Sequence, residues 1–238
     1  PYVMLGIVVL VMFIIIALIK VPNTDNSKLS TTLNSKPSTL KCIKHLWRNR
    51  VYREGVIAQM FYVAAQIMVW TFIIQYAERL GMSKATAQNY NIMAMCFFLS
   101  ARFIATFLMR YFNGRLLLTC FGIGAACASL GTILIDGING LYCLIAISFF
   151  MSLMFPTIYG IALENVSAED STLGAAFLVM AIVGGSIFPP LQGSIIDAGG
   201  AEHIICGLPS VNFSYILPLL CFVFITWYGW RSYRKRAI

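Results

Sequence analysis

Apolar residues run along this chain in long, almost uncharged blocks separated by short polar stretches. Seven such blocks stand out, at approximately 2–19, 55–77, 88–110, 114–135, 141–163, 173–197 and 213–230. A helix rises 1.5 Å per residue, so about 20 residues cross a hydrocarbon core ~30 Å thick. Within lipid a spanning segment must satisfy its own backbone, which makes each block a helix. The pattern predicts an all-α integral membrane protein with about seven transmembrane helices.

The connectors differ in kind. From Pro22 to Thr39 the chain is rich in Ser, Thr, Asn and Lys, has nothing to bury and reads as a tether. From Leu40 to Arg53 the period becomes helical, with Leu40, Ile43, Trp47 and Val51 recurring among Lys41, Lys44, Arg48, Arg50 and Arg53. That is the pattern of a basic helix on an anionic leaflet, and equally of an ordinary solvated charge run. The later turns are short, so helices adjacent in sequence are expected to be antiparallel neighbours. The domain reading is a first helix over 1–20, a connecting loop over 21–54 and a six-helix bundle over 55–238.

Two blocks carry special small residues and prolines. In 114–135, Gly122 with Ala126 and Gly124 with Ala128 recur at four-residue spacing, which lets helix backbones approach closely. In 173–197, Gly184-Gly185 is followed by Pro189-Pro190. Proline lacks the amide donor and clashes with the preceding turn, so this helix is expected to kink or break near its middle. Broken helices at the bilayer midplane hold substrates in transporters, and a kink also serves packing alone.

Composition agrees with the pattern, since 59% of residues are hydrophobic and only 11% charged, against ~25% charged in soluble proteins. The net charge of +8 would suggest nucleic acid until the cations are placed. Eight lie between Lys20 and Arg53, two flank a turn (Arg110, Arg115) and four close the chain (Arg231, Arg234, Lys235, Arg236), while only Arg79 and Lys84 fall on the other side. This is the positive-inside distribution. It predicts a multi-pass protein of the plasma (inner) membrane with the N-terminus outside, the 21–54 loop and C-terminus cytoplasmic, and no nucleic-acid partner. The cysteines show no metal spacing, and Cys96, Cys120, Cys127, Cys143 and Cys221 lie inside apolar blocks as small hydrophobes. Cys42 and Cys206 fall in loops on opposite sides, so no disulfide framework is expected. The chain opens on Pro1 directly into hydrocarbon-grade sequence and reads as a piece of something longer.

Polar residues inside hydrocarbon are costly and therefore informative. The second block holds Gln59, Tyr62, Gln66 and Trp70. At 100° per residue, Gln66 falls about 20° short of Gln59 and Trp70 about 40° beyond Gln66, so two amides and an indole share one stripe. An amide donates and accepts, matching sugar hydroxyls, and an aromatic plane packs on the apolar face of a pyranose. Such amides also act as glue between helices. Asn89 and Asn91 open the third block, and Ser148, Ser152 and Thr157 punctuate the fifth, where their hydroxyls can bond the helix's own backbone. Arg102, inside the third block, is placed either to snorkel or to pair in a gate. Every acid, from Asp25 to Glu202, lies in a loop or near a block end, and His45 and His203 are outside the blocks. No proton carrier, nucleophile or metal constellation can then be assembled in the bilayer, so an enzyme and a bound cofactor are not expected.

With these residues in view, the chain resembles the fucose permease branch of the major facilitator superfamily. Ala58-Gln59, Tyr62-Val63, Gln66, Trp70, Ile74 and Tyr76-Ala77 are similar to the family's seventh helix. Further similarity lies in Asn89-Tyr90, Cys96-Phe97-Phe98, Arg102-Phe103, Phe150-Met151-Ser152, Pro156-Thr157-Ile158, and Gly184-Gly185 with Pro190, Gly193 and Asp197. The resemblance runs from about Gly55 to Gly200. It implies the last helix of an N-terminal half, a central loop and a six-helix C-terminal half of a sugar–proton symporter working by alternating access. It implies that Trp70 matches an aromatic residue lining the family's sugar cavity, and with the stripe above the candidate monosaccharide contacts are Gln59, Tyr62, Gln66, Trp70, Asn89 and Phe155, with Arg102, Gly184, Gly185, Pro190 and Asp197 in gating or structural roles. The proton-linked carboxylates would lie in the missing N-terminal half. Phe155 stands where the family has a tyrosine, which removes one sugar hydrogen bond and leaves the choice of hexose open.

Two other readings share the helix count. A seven-helix retinal pigment needs a lysine in its last span, and 213–230 has none; a receptor finds no positive feature. A structural membrane subunit requires only the spans.

Overall fold

The computed structural model describes residues 2–18, 39–164, 166–199, 204–205 and 207–236. The tether, His203 and Cys206 lie outside the described residues. The chain divides into two units, residues 1–39 and 40–238. In the first, α1 (Tyr2–Leu18) is a 17-residue helix without a charged residue, and Ile7, Leu10, Met12 and Phe13 are exposed along it.

The second unit is built on α2 (Thr39–Arg48), α3 (Arg50–Arg79), α4 (Lys84–Leu108), α5 (Gly114–Leu134), α6 (Ile138–Met151), α7 (Met154–Leu163), α8 (Ala168–Met180), α9 (Gly184–Ala198), α10 (Ser210–Ser214) and α11 (Ile216–Arg236). A two-residue antiparallel ribbon, β1 (Ile204–Ile205) and β2 (Leu208–Pro209), precedes α10. Six segments here are long and apolar enough to cross a membrane: α3, α4, α5, α6–α7, α8–α9 and α10–α11. Local sequence sets their starts. Asn49, Ser83, Asn113 and Ser167 each cap a helix by accepting from amides of its first turn, which would otherwise lack partners.

Two spans are interrupted. The break in the α8–α9 span is a short 3-10 segment, Ala181–Val183, about two turns before the prolines, which themselves sit inside α9. The proline rings crowd the carbonyls of Gly185 and Ser186, inside α9, so the break falls ahead of the turn they distort and not at the prolines, where the sequence places it. The second interruption, at Ser152-Leu153 between α6 and α7, was not anticipated from the sequence. Its signal is Pro156, the third residue of α7, in the first turn where a missing amide costs nothing.

Helix α3 is the hub, packing against α4, α6, α7, α9 and α11, while α5 is gripped by α6 and α11. Ala58, Ala64, Ala65, Met68, Val69 and Ile73 of α3 have no exposed surface. The small residues work as close contacts. A methyl group on Gly122 would lie 3.2 Å from the Thr226 backbone of α11, and one on Gly124 would press into the Phe150 ring of α6.

Charged clamps tie both ends of the bundle. At the end carrying most of the basic residues, Arg115 reaches Glu164 and the Ser232 carbonyl (2.9 Å), joining α5 to the ends of α7 and α11. There Leu46 of α2 is buried against Tyr52, Ala162 and Leu178, and Asp170 of α8 receives Cys42, His45 (2.7 Å) and Ser167 (2.9 Å). At the opposite end Arg79 holds both oxygens of Asp136 (2.9 and 2.8 Å) and reaches Asn212, while Tyr76 donates to the Ile135 or Gly137 carbonyl.

Candidate functional site

The stripe anticipated on α3 is held in a fixed rotation by its buried alanines, and its four members meet different surroundings. Gln59 has no exposed surface, and neither atom of its amide has a hydrogen-bond partner among the described residues. An unpaired buried amide costs about 1–3 kcal/mol, so the position favours any group that supplies hydrogen bonds. Tyr62 is buried one turn on and meets Phe155 of α7 edge-on, with ring centroids 6.0 Å apart. Phe155 in turn stacks on Tyr159 at 6.5 Å with the rings nearly parallel. Gln66 is half-buried.

Trp70 is half-buried between α4 and α6. Its indole N–H donates to Ser148 Oγ at 3.3 Å, and its ring meets Phe98 edge-on at 5.2 Å. The polar edge of the indole is thereby occupied, which fixes the ring plane. Neither partner is evident from the sequence, in which Ser148 can equally bond its own helix backbone and Phe98 enters only through the family resemblance. Asn89 is exposed on α4, whereas Asn91, two residues on, is buried with an unpartnered Oδ1. The structure thus gathers Tyr62 with Phe155, and Trp70 with Ser148 and Phe98, and leaves Asn89 apart from these contacts.

The residues expected at a gate are dispersed. Arg102 is exposed and lines a cavity of about 530 Å³ with Leu99, Phe103, Thr106, Phe107 and Arg110; it enters no ion pair among the described residues. Gly184 and Gly185 form the contact of α9 on α3. A methyl group on Gly184 would stand 2.5 Å from the Met60 carbonyl oxygen, and one on Gly185 would collide with Ile67. Pro190 and Asp197 are exposed, and the Pro190 carbonyl accepts from Ser194 at 3.0 Å.

Outside the spans, Asp136 shows a perturbed acidity. Partial burial works against its ionised form but is outweighed by the Gly137 amide, 2.8 Å away, and by Arg79, so the carboxyl titrates below its ordinary range. Gly137 holds φ at 82°, a left-handed conformation that glycine adopts without strain.

Chemically, the face made by α3, α6 and α7 combines amides with fixed aromatic planes. Amides exchange hydrogen bonds in both directions with hydroxyls, and aromatic planes take apolar C–H surface. Such a set suits a neutral polyol better than an ion.

The Major Facilitator Superfamily profile matches residues 1–190. The chain is similar to the L-fucose-proton symporter of Haemophilus influenzae, 55% identical over 234 residues, covering 98% of this chain and 52% of that protein. Its similarity to the L-fucose-proton symporter of Escherichia coli is 32% over 227 residues, covering 94% and 49%. A glucose/galactose transporter of Brucella abortus is 27% identical over 232 residues, covering 96% and 52%. Among solved structures, the Major Facilitator Superfamily transporter FucP in the outward conformation aligns with a TM-score of 0.75 and 31% identity, over 81% of this chain and 45% of that one. The chain spans about half the length of the curated relatives it matches.

Proposed function

Because this chain belongs to the Major Facilitator Superfamily, we propose that it forms the sugar-binding C-terminal half of a proton-coupled monosaccharide symporter that works by alternating access. The observation that carries this reading is the polar and aromatic stripe of α3, in a chain 55% identical to an L-fucose-proton symporter. Residues 1–20 would then be the last helix of the N-terminal half, 21–54 the central loop and 55–238 the second bundle. The loop and C-terminus would face the cytoplasm, as the basic residues at that end require.

In this reading Trp70 supplies a stacking plane and Gln66 hydroxyl contacts, Gln59 is enclosed behind them and reaches a sugar only where the helices around it part, and Tyr62, Phe155 and Asn89 shape the rest of the site. Arg102, free of ion pairs within the described residues, offers a cation to an acid of the other half. The acids of this chain sit at helix ends or in loops, so the titrating group of the coupling step belongs to that other half. Rocking requires each half to move as a unit. The Arg115–Glu164 and Arg79–Asp136 clamps hold this half at both ends, while Gly184 and Gly185 seat the broken helix on α3.

The test is uptake of L-fucose, D-galactose and D-glucose by the intact transporter under an imposed pH gradient. At least one sugar should enter faster when the outside is acidic, and an uncoupler should abolish the difference. Uptake of all three that ignores the gradient would contradict the reading.

A further inference from the structure

Helix α11 carries a feature outside the proposed sugar site. Leu220, Val223, Trp227, Trp230, Arg231 and Arg234 fall within about 100° of one another on the helix, forming one stripe. Leu220, Val223, Trp227 and Trp230 are exposed along it. Near the basic end the guanidinium of Arg231 stacks over Trp227 at 5.1 Å and that of Arg234 over Trp230 at 5.7 Å. Arg231 also meets Glu54 of α3 at 2.9 Å, on the same oxygen that Arg50 holds at 2.9 Å. Two guanidinium groups therefore share one carboxylate and Arg234 adds a third cation, leaving a surplus of positive charge beside the rings.

We propose that this stripe is a binding site for an anionic phospholipid. It rests on the membrane-spanning assignment of α11 and not on the choice of sugar. Read from the middle of the helix to its end, the stripe passes from aliphatic to indole to guanidinium. A phospholipid has the matching order of acyl chain, glycerol backbone and phosphate. Indole rings favour the interfacial level, and arginine pairs with phosphate through two parallel hydrogen bonds. The surplus charge selects a headgroup that is negative overall, since a zwitterionic one returns its own cation to the site. The aliphatic stretch distinguishes this site from one for a soluble anion, which would gain nothing from Leu220 and Val223.

The test uses the full chain in nanodiscs of equal parts phosphatidylglycerol and phosphatidylcholine with identical acyl chains, with retained lipid counted by native mass spectrometry. Phosphatidylglycerol should be retained over phosphatidylcholine. Arg234→Gln, at an exposed position that enters no ion pair among the described residues, should cut that excess about fivefold at an unchanged unfolding midpoint, the weight of one arginine near an anionic surface. Arg234→Lys should keep most of it, and free glycerol phosphate should not displace the lipid. Equal retention of the two lipids, an excess untouched by Arg234→Gln, or displacement by glycerol phosphate would each overturn the proposal.

Discussion

Trp70 on α3 and Ser148 on α6 stand as donor and acceptor, the indole nitrogen 3.3 Å from the hydroxyl oxygen, inside two membrane-spanning helices. Such a bond contributes on the order of 1 kcal/mol. Its larger effect is orientation, because with its N–H tied and its edge against Phe98 the indole presents a set plane. Trp70→Ala should weaken monosaccharide binding by the intact transporter about tenfold, the weight of one aromatic platform. Ser148→Ala should weaken it by a smaller factor, since the ring remains but loses its anchor. Equilibrium binding to purified transporter, with insertion checked separately, measures both.

Phe155 lies between Tyr62 and Tyr159 without a hydroxyl of its own. Phe155→Tyr adds one donor–acceptor group to the proposed site and should change the ranking of hexoses in competition uptake assays. An unchanged ranking at normal expression would remove Phe155 from the site.

The Arg79–Asp136 clamp should make stability depend on pH. The carboxyl of folded Asp136 titrates below its ordinary range, so the clamp contributes fully above the unfolded-state value of about 4 and is lost as pH falls through the folded one. Thermal unfolding in detergent should therefore show a loss of stability on acidification that Asp136→Asn lacks, the variant starting from a lower midpoint at neutral pH.

Gly184 sits against both the side chain and the carbonyl of Met60, and the carbonyl, fixed in α3, cannot move aside for a side chain. Gly184→Val should push α9 away from α3 and cost about 1–3 kcal/mol, the usual range for overpacking. A lowered unfolding midpoint, with reduced transport even in the surviving fraction, is the expected result.

These contacts show which parts of the molecule its sequence makes legible. Helix number and span positions are legible because hydrocarbon enforces long uncharged blocks, and the small residues of α5 because close packing demands them, whereas the seating of Gly184 and Gly185 on α3 is visible only in the structure. The six spans of the second unit lie close to the blocks read from hydropathy. The break at Ser152-Leu153 is not legible in hydropathy, because the block 141–163 is continuously apolar and only Pro156 marks a new helix start. The stripe of Gln59, Gln66 and Trp70 followed from helical period, but period alone does not say what lies opposite. That Gln59 is enclosed, and that Ser148 faces Trp70, depends on packing between helices distant in sequence.

The central claim is that this chain supplies the sugar site and that its partner half supplies the proton site. The most direct measurement is sugar-dependent proton uptake into liposomes under an imposed pH gradient, with this chain alone and with the N-terminal half of the Haemophilus influenzae symporter added as a separate chain. The account predicts no coupled uptake by the chain alone, uptake when the two halves are present together, and loss of that uptake on Trp70→Ala. Robust coupled uptake by the chain alone, or uptake by the pair that Trp70→Ala leaves intact, would contradict it.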